Sequence, residues 1–148
     1  MTYDTFNSPI GLLYIVESND KLFSLARDKP NLDNTVFKTT PLSIKVKSWL
    51  TDYFNQRHRP IDFNLQLHGT TYQEAVFKQL LEIPYGHTIT YGELAKTLQS
   101  GPRAVGGAVG KNDHLIVIPC HRVVGCHSIG GFSEDLSIKA YLLNLEKR

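Results

Sequence analysis

The sequence predicts a mixed α/β protein of the α+β type in two parts. A small antiparallel sheet with one helix is expected over residues 1–66, and a mostly helical part built on a helix-turn-helix over residues 67–148. Three observations carry this reading. Short β-rich runs separated by turn compositions fill the start of the chain. Apolar residues recur at helical spacing after Pro41. Two Thr-x-x-Glu signatures, Thr71 to Glu74 and Thr90 to Glu93, then open successive helical segments in the second half.

In order, Tyr3 to Phe6, Gly11 to Val16 and Leu22 to Ala26 read as strands divided by Asn7-Ser8-Pro9 and Ser18-Asn19-Asp20. A further extended piece falls near Val36-Phe37. Ser43 is the expected N-cap of a helix whose Val46, Trp49, Leu50, Tyr53 and Phe54 face the sheet. Ile61 to Leu67 reads as one more extended segment, with the junction at His68-Gly69. The helix opened by Thr71 has Tyr72, Val76, Leu80 and Ile83 as its buried stripe and ends at Pro84-Tyr85-Gly86. Tyr91 to Gln99 and Arg103 to Lys111, joined by Ser100-Gly101-Pro102, form the helix-turn-helix. Gly106, Gly107 and Gly110 each cost about 1 kcal/mol relative to alanine, about 3 kcal/mol in all, so something needs the room they leave. A neighbouring strand and a DNA groove fit that need equally.

Composition narrows the class. The chain has 148 residues, 41% of them hydrophobic, which suffices for a packed core. No apolar run approaches the roughly 18 residues of a membrane span, and Met1 to Asp4 lacks a signal-peptide start, so a cytoplasmic protein is expected. Cys120 and Cys126 are the only cysteines and are too close in the chain to staple a fold. No ligand spacing suggests zinc, so no metal is expected. The net charge of +2 is weak support for a nucleic-acid partner. Lys96, Arg103, Lys111 and Arg122 against Asp113 alone concentrate positive charge in one stretch.

That stretch contains Ile118-Pro119-Cys120-His121-Arg122-Val123-Val124. Leu115-Ile116-Val117 reads as a buried strand that Pro119 terminates, leaving Cys120 on a turn outside the core. A thiol becomes nucleophilic as its thiolate, and an adjacent His or basic residue can favour that form. On residue types alone, a small buried cysteine beside a solvated His-Arg pair is the commoner arrangement.

The flanking residues change this. Pro119-Cys120-His121-Arg122 with Val123-Val124, Arg103-Ala104-Val105-Gly106-Gly107-Ala108, Ile83-Pro84-Tyr85-Gly86 and Thr90-Tyr91-Gly92-Glu93-Leu94-Ala95 together resemble the O6-alkylguanine-DNA alkyltransferase family over nearly the whole chain. The resemblance implies a ribonuclease-H-like N-terminal domain that supports a winged-helix-like C-terminal domain. It also implies suicide transfer of an alkyl group from O6-alkylguanine in double-stranded DNA to Cys120, with O4-alkylthymine a possible second substrate. No cofactor is implied, and a monomer is expected.

By the same resemblance Cys120, His121, Glu146 and Asn112 are the catalytic set. His121 takes the thiol proton through a water, Glu146 orients it, and Asn112 braces the cysteine strand. Tyr91, Val123, Phe132 and Ser133 bind the flipped base. Arg103, Ala104, Gly106, Gly107 and Tyr91 meet DNA in the minor groove, with Arg103 filling the vacated stack. Departures are Gly110 at a commonly basic position, Asp113 where proline is common, Phe132 at a tyrosine position, and Glu134-Asp135 in the pocket lid, where Glu134 is expected to narrow the pocket. Cys126 and His127 read as loop residues. Three rivals are weighed against this reading. A damage sensor would lack the cysteine, a transcription regulator needs base-reading side chains on the second helix, and a Cys-His hydrolase needs an oxyanion hole.

Overall fold

The computed structural model describes residues 1–131 and 135–147, without the side chain of Leu32. The chain divides into two compact units, Met1–Leu67 and His68–Arg148.

The first unit is built on a hairpin meander of β1 (Thr2–Ser8), β2 (Gly11–Ser18) and β3 (Lys21–Ala26). The pairs are antiparallel, with Tyr3 opposite Val16 and Ile15 opposite Leu25, and the β2–β3 ladder shifts register at Val16/Glu17. The short β4 (Val36–Phe37) joins parallel to β1, giving the order β3-β2-β1-β4. Helix α1 (Pro41–Phe54) packs on β1 and β2 through Val46, Leu50 and Tyr53. Its N-cap is Thr40, not the expected Ser43. Pro41 already has the φ of a first helical residue, and Ser43 sits three residues past the cap, where its hydroxyl receives the Thr40 N–H and completes a capping box. Ser43 Oγ also donates to the buried Asp4, which pairs with Lys47 at 2.9 Å and ties the helix to the sheet. The segment after Arg59 is mostly irregular. Only Leu65 bridges to Leu22, because Leu22 on the sheet edge exchanges hydrogen bonds with Asn64 and Gln66.

The second unit opens with α2 (Thr71–Leu80). Its cap is Thr70 with Gln73 as reciprocal partner, one residue ahead of the expected Thr71–Glu74 box. Val76, Phe77 and Leu80 are buried, whereas Tyr72 is exposed and its hydroxyl meets Ser100 Oγ at 2.7 Å. Helix α3 (Tyr91–Thr97) is capped by Thr90 and Glu93 as expected, and α4 (Pro102–Val109) packs on α2 and α3. Pro102 starts α4 one residue early and Gly110 is its C-cap, so two glycines lie inside the helix and the third ends it. The two-residue strands β5 (Ile89–Thr90) and β6 (Val123–Val124) pair in parallel, and α5 (Leu136–Glu146) closes the unit.

The run Leu115-Ile116-Val117 is buried but is not a strand. Ile116 has φ +71, Val117 N–H bonds the Leu115 carbonyl, and Ile118 N–H bonds that of His114. Asn112 supplies what a strand neighbour would have supplied. Its Nδ2 donates to the Ile118 carbonyl at 2.8 Å and its Oδ1 accepts from His114 N–H at 3.0 Å. No helix among the described residues is long and apolar enough to cross a membrane.

The capping geometry separates two neighbouring threonines. Thr70→Ala should cost about 1 kcal/mol in urea unfolding, and Thr71→Ala, whose side chain is exposed, less than about 0.5 kcal/mol. Equal losses would contradict the assignment.

Candidate active site

Cys120 opens a 3-10 turn, Cys120–Arg122, that follows Pro119 and runs into β6. It lies on a turn as expected, but it is only 3% exposed. It lines a cleft of about 750 Å³. Tyr91, Arg103, Gly106, Gly110, Cys120 and Gly131 are among the residues lining it.

The β5–β6 ladder sets this arrangement. Ile89 pairs with Val123 and Thr90 with Val124. Tyr91 directly follows the first strand and the cysteine turn directly precedes the second, so one short ladder holds both beside the same cleft. Gly130 lets its backbone approach Tyr91 closely: its φ is +78, and a Cβ there would stand 2.8 Å from Tyr91 Cε2. The Tyr91 hydroxyl donates to the Gly131 carbonyl at 3.2 Å. Burial, with a smaller contribution from charge at Cys120, raises the Tyr91 phenol above its ordinary 10.0, so it stays protonated at neutral pH.

Behind the cysteine lies a buried polar cluster. His121, Arg122 and Glu146 are 0%, 7% and 4% exposed, so neither the His-Arg pair nor Glu146 is solvated. Glu146 Oε2 stands 2.6 Å from His121 Nε2, and Arg122 Nε donates to Oε1 at 2.8 Å and Nη2 to Oε2 at 3.1 Å. The Gly86 N–H also reaches Oε1, at 3.2 Å, and Arg122 Nη1 donates to the Ile83 carbonyl at 2.8 Å. The Ile83-Pro84-Tyr85-Gly86 loop is thereby clamped. Gly86 has φ +79, and a Cβ would lie 3.2 Å from the Glu146 carbonyl oxygen.

Burial pushes the Glu146 carboxyl up, but hydrogen bonds and charge from His121 and Arg122 outweigh it and hold it well below the usual carboxylate range. Burial holds the His121 imidazole below its ordinary 6.5 despite the neighbouring carboxylate. The neutral ring donates from Nε2 to Glu146, which makes Nδ1 the acceptor. Nδ1 is buried and has no hydrogen-bond partner among the described residues.

The residue-type reading missed Lys139. It is fully buried, its Nζ donates to the carbonyls of Val123 at 2.6 Å and Gly131 at 2.7 Å, and it lies 5.8 Å from the Tyr91 ring centroid. Burial lowers its ammonium to about 8, with charge at Cys120 opposing the shift. A signal was available. Lys139 and Glu146 share the buried face of α5 with Ile138 and Leu142, and a lysine and a glutamate in an apolar stripe need partners.

Of the expected site residues, the fold brings together Cys120, His121, Glu146 and Asn112 around the turn, and Tyr91, Gly106 and Arg103 around the cleft. Val123 is buried, and its carbonyl already accepts from Lys139. Ala104 and Gly107 lie on the outer face of α4 with Arg103. Phe132, Ser133 and Glu134 fall outside the described residues. Asp135 is the N-cap of α5, and Cys126 lies in an exposed loop.

A cysteine at the foot of a cleft, backed by an imidazole whose orientation a buried carboxylate fixes, belongs to the class of proteins that use a thiol as nucleophile. The comparisons make this specific. Residues 71–148 match the 6-O-methylguanine DNA methyltransferase DNA-binding domain. A constitutive methylated-DNA–protein-cysteine methyltransferase of Bacillus subtilis is 36% identical, over 98% of this chain and 94% of its own length. One from Haemophilus influenzae is 37% identical, over 98% and 86%. The crystal structure of Mycobacterium tuberculosis OGT in complex with DNA superposes with a TM-score of 0.91 at 36% identity, covering 99% of this chain and 93% of that one. The chain belongs to the methylated-DNA–protein-cysteine methyltransferase family.

Glu146→Gln leaves a buried guanidinium with weakened compensation and should destabilise the protein by about 3–5 kcal/mol at pH 7 by denaturant titration. Because the folded carboxyl titrates below its ordinary 4.5, the stabilisation it contributes is complete above that pH and is lost as the pH falls further. Wild type and variant should therefore converge in acid.

Proposed function

We propose that this protein repairs alkylated DNA by moving the alkyl group of O6-alkylguanine in a duplex onto Cys120, once per molecule. The observation that carries this reading is that Cys120, though buried, lines a cleft bordered by Tyr91 and by the helix bearing Arg103. A base stacked in a duplex cannot present its O6 substituent to a recessed sulfur, so the nucleotide must swing out into the cleft.

The outer face of α4 suits the minor groove. Arg103, Ala104 and Gly107 are exposed, and a Cβ at Gly107 would meet nothing within 4 Å, so no neighbour among the described residues requires that glycine. Of the two partners left open by the sequence, this favours DNA. Small residues there admit close backbone approach with little base reading. Arg103 would fill the gap in the stack, and the first unit, ribonuclease-H-like in the family, would serve as support.

In the chemical step the thiol proton passes to Nδ1 of His121, directly or through a water. Sulfur forms a bond to the alkyl carbon, and the carbon–O6 bond breaks with its electrons going to guanine. Tyr91, kept a phenol, protonates N3 so that guanine leaves neutral. Cys120 and Val123 carbonyls would face the exocyclic amine. Ser133 would contact O6. The product is a thioether that no neighbouring group can hydrolyse, which makes the protein a stoichiometric acceptor.

Incubation with an O6-methylguanine duplex should add the mass of one methylene to the peptide containing Cys120, and none in Cys120→Ala. Lesion removal by that variant would refute the proposal. Single-turnover rates should fall in acid around a midpoint below 6.5, as the depressed His121 takes up a proton and ceases to be an acceptor. Rates that stay level in acid would exclude His121 as the base.

A further inference from the structure

The sequence shows no metal-ligand spacing, yet the fold of the second unit assembles a ligand set away from the cysteine cleft. His68, at the start of the unit, meets Asp113 and His114 from the turn after α4. His68 Nε2 lies 2.9 Å from Asp113 Oδ2, and His114 Nδ1 lies 3.1 Å from Asp113 Oδ1. One ligand atom from each of the three residues falls within 4.8 Å of the others. The two rings are close as well, with centroids 5.8 Å apart.

We propose that His68, Asp113 and His114 form a binding site for a divalent cation of the zinc class. Two imidazoles and one carboxylate are a common zinc donor set. Ligands about 2.0–2.2 Å from a tetrahedral ion stand roughly 3.4 Å apart, and the two histidine–carboxylate separations of 2.9 and 3.1 Å are near that value. The ion would replace the protons now shared between the rings and the carboxylate. His114 is almost fully buried, so its ring is held in place by packing, whereas the side chains of His68 and Asp113 are 35% and 40% exposed and leave a path for entry. Three protein ligands leave the fourth position to water.

The site has a mechanical consequence. Asn112, adjacent to Asp113, donates to the Ile118 carbonyl on the approach to Cys120. A cation at the turn would pin the segment carrying Asn112 to the segment that enters α2, stiffening the support of the cysteine turn without touching the cleft.

The test uses the full chain, stripped with chelator, in a Cys120→Ser, Cys126→Ser background that removes thiol ligands. Titration calorimetry with Zn²⁺ at pH 7.5 should give one site per chain and a rise in Tm. Asp113→Asn and His68→Ala, both at partly exposed positions, should each weaken binding by about tenfold or more and abolish the rise in Tm. Co²⁺ should give the absorption bands of a tetrahedral nitrogen–oxygen site that disappear in either variant. Absence of zinc binding, or binding that survives both substitutions, would overturn the proposal and leave Asp113 as a hydrogen-bond bridge between two imidazoles.

Discussion

The carboxylate of Glu146 meets three parts of the second unit at once: the Gly86 loop through a backbone N–H, His121 through its ring, and Arg122 through two guanidinium nitrogens. A buried carboxylate is costly unless charge and hydrogen bonds surround it, and here they do. Because the partners come from separate stretches of chain, satisfying this one group fixes the end of α5, the cysteine turn and the loop before β5 relative to one another. The apolar packing around them could tolerate small shifts. The charge cluster cannot, since each displacement would leave a buried donor or acceptor unpaired.

The proposed chemistry rests on that rigidity. His121 turns its Nδ1 away from Glu146, and the β5–β6 ladder holds Tyr91 beside the same cleft as Cys120. Lys139 bonds two carbonyls, that of Val123 on β6 and that of Gly131. His121, Tyr91 and Cys120 thus stand on elements whose relative placement depends on buried polar contacts.

Local signals in the sequence were informative where the cause is local. Thr90 and Glu93 cap α3 because a hydroxyl and a carboxylate three residues apart satisfy each other's free amides whatever surrounds them. The same logic misplaced the caps of α1 and α2, since Thr40 and Thr70 compete with nearby Ser43 and Thr71, and only the path of the entering chain decides between them. The apolar run Leu115 to Val117 reads as a strand from composition but folds as turns, because Asn112 takes the backbone bonds that a neighbouring strand would have taken. Gly110 was read as part of the helix that it ends.

By itself the sequence determined the three strands of the meander, the positions of α1 to α4, and the motif around Cys120 by which the chain resembles its family. These depend on periodicity, turn chemistry and residues close together in the chain. Tertiary structure alone decided that His121, Arg122 and Glu146 are buried together, that Lys139 is a buried neighbour of Val123 and Tyr91, and that His68 meets Asp113 and His114. Burial and pairing across long stretches of chain depend on which faces pack together, and no local pattern encodes that.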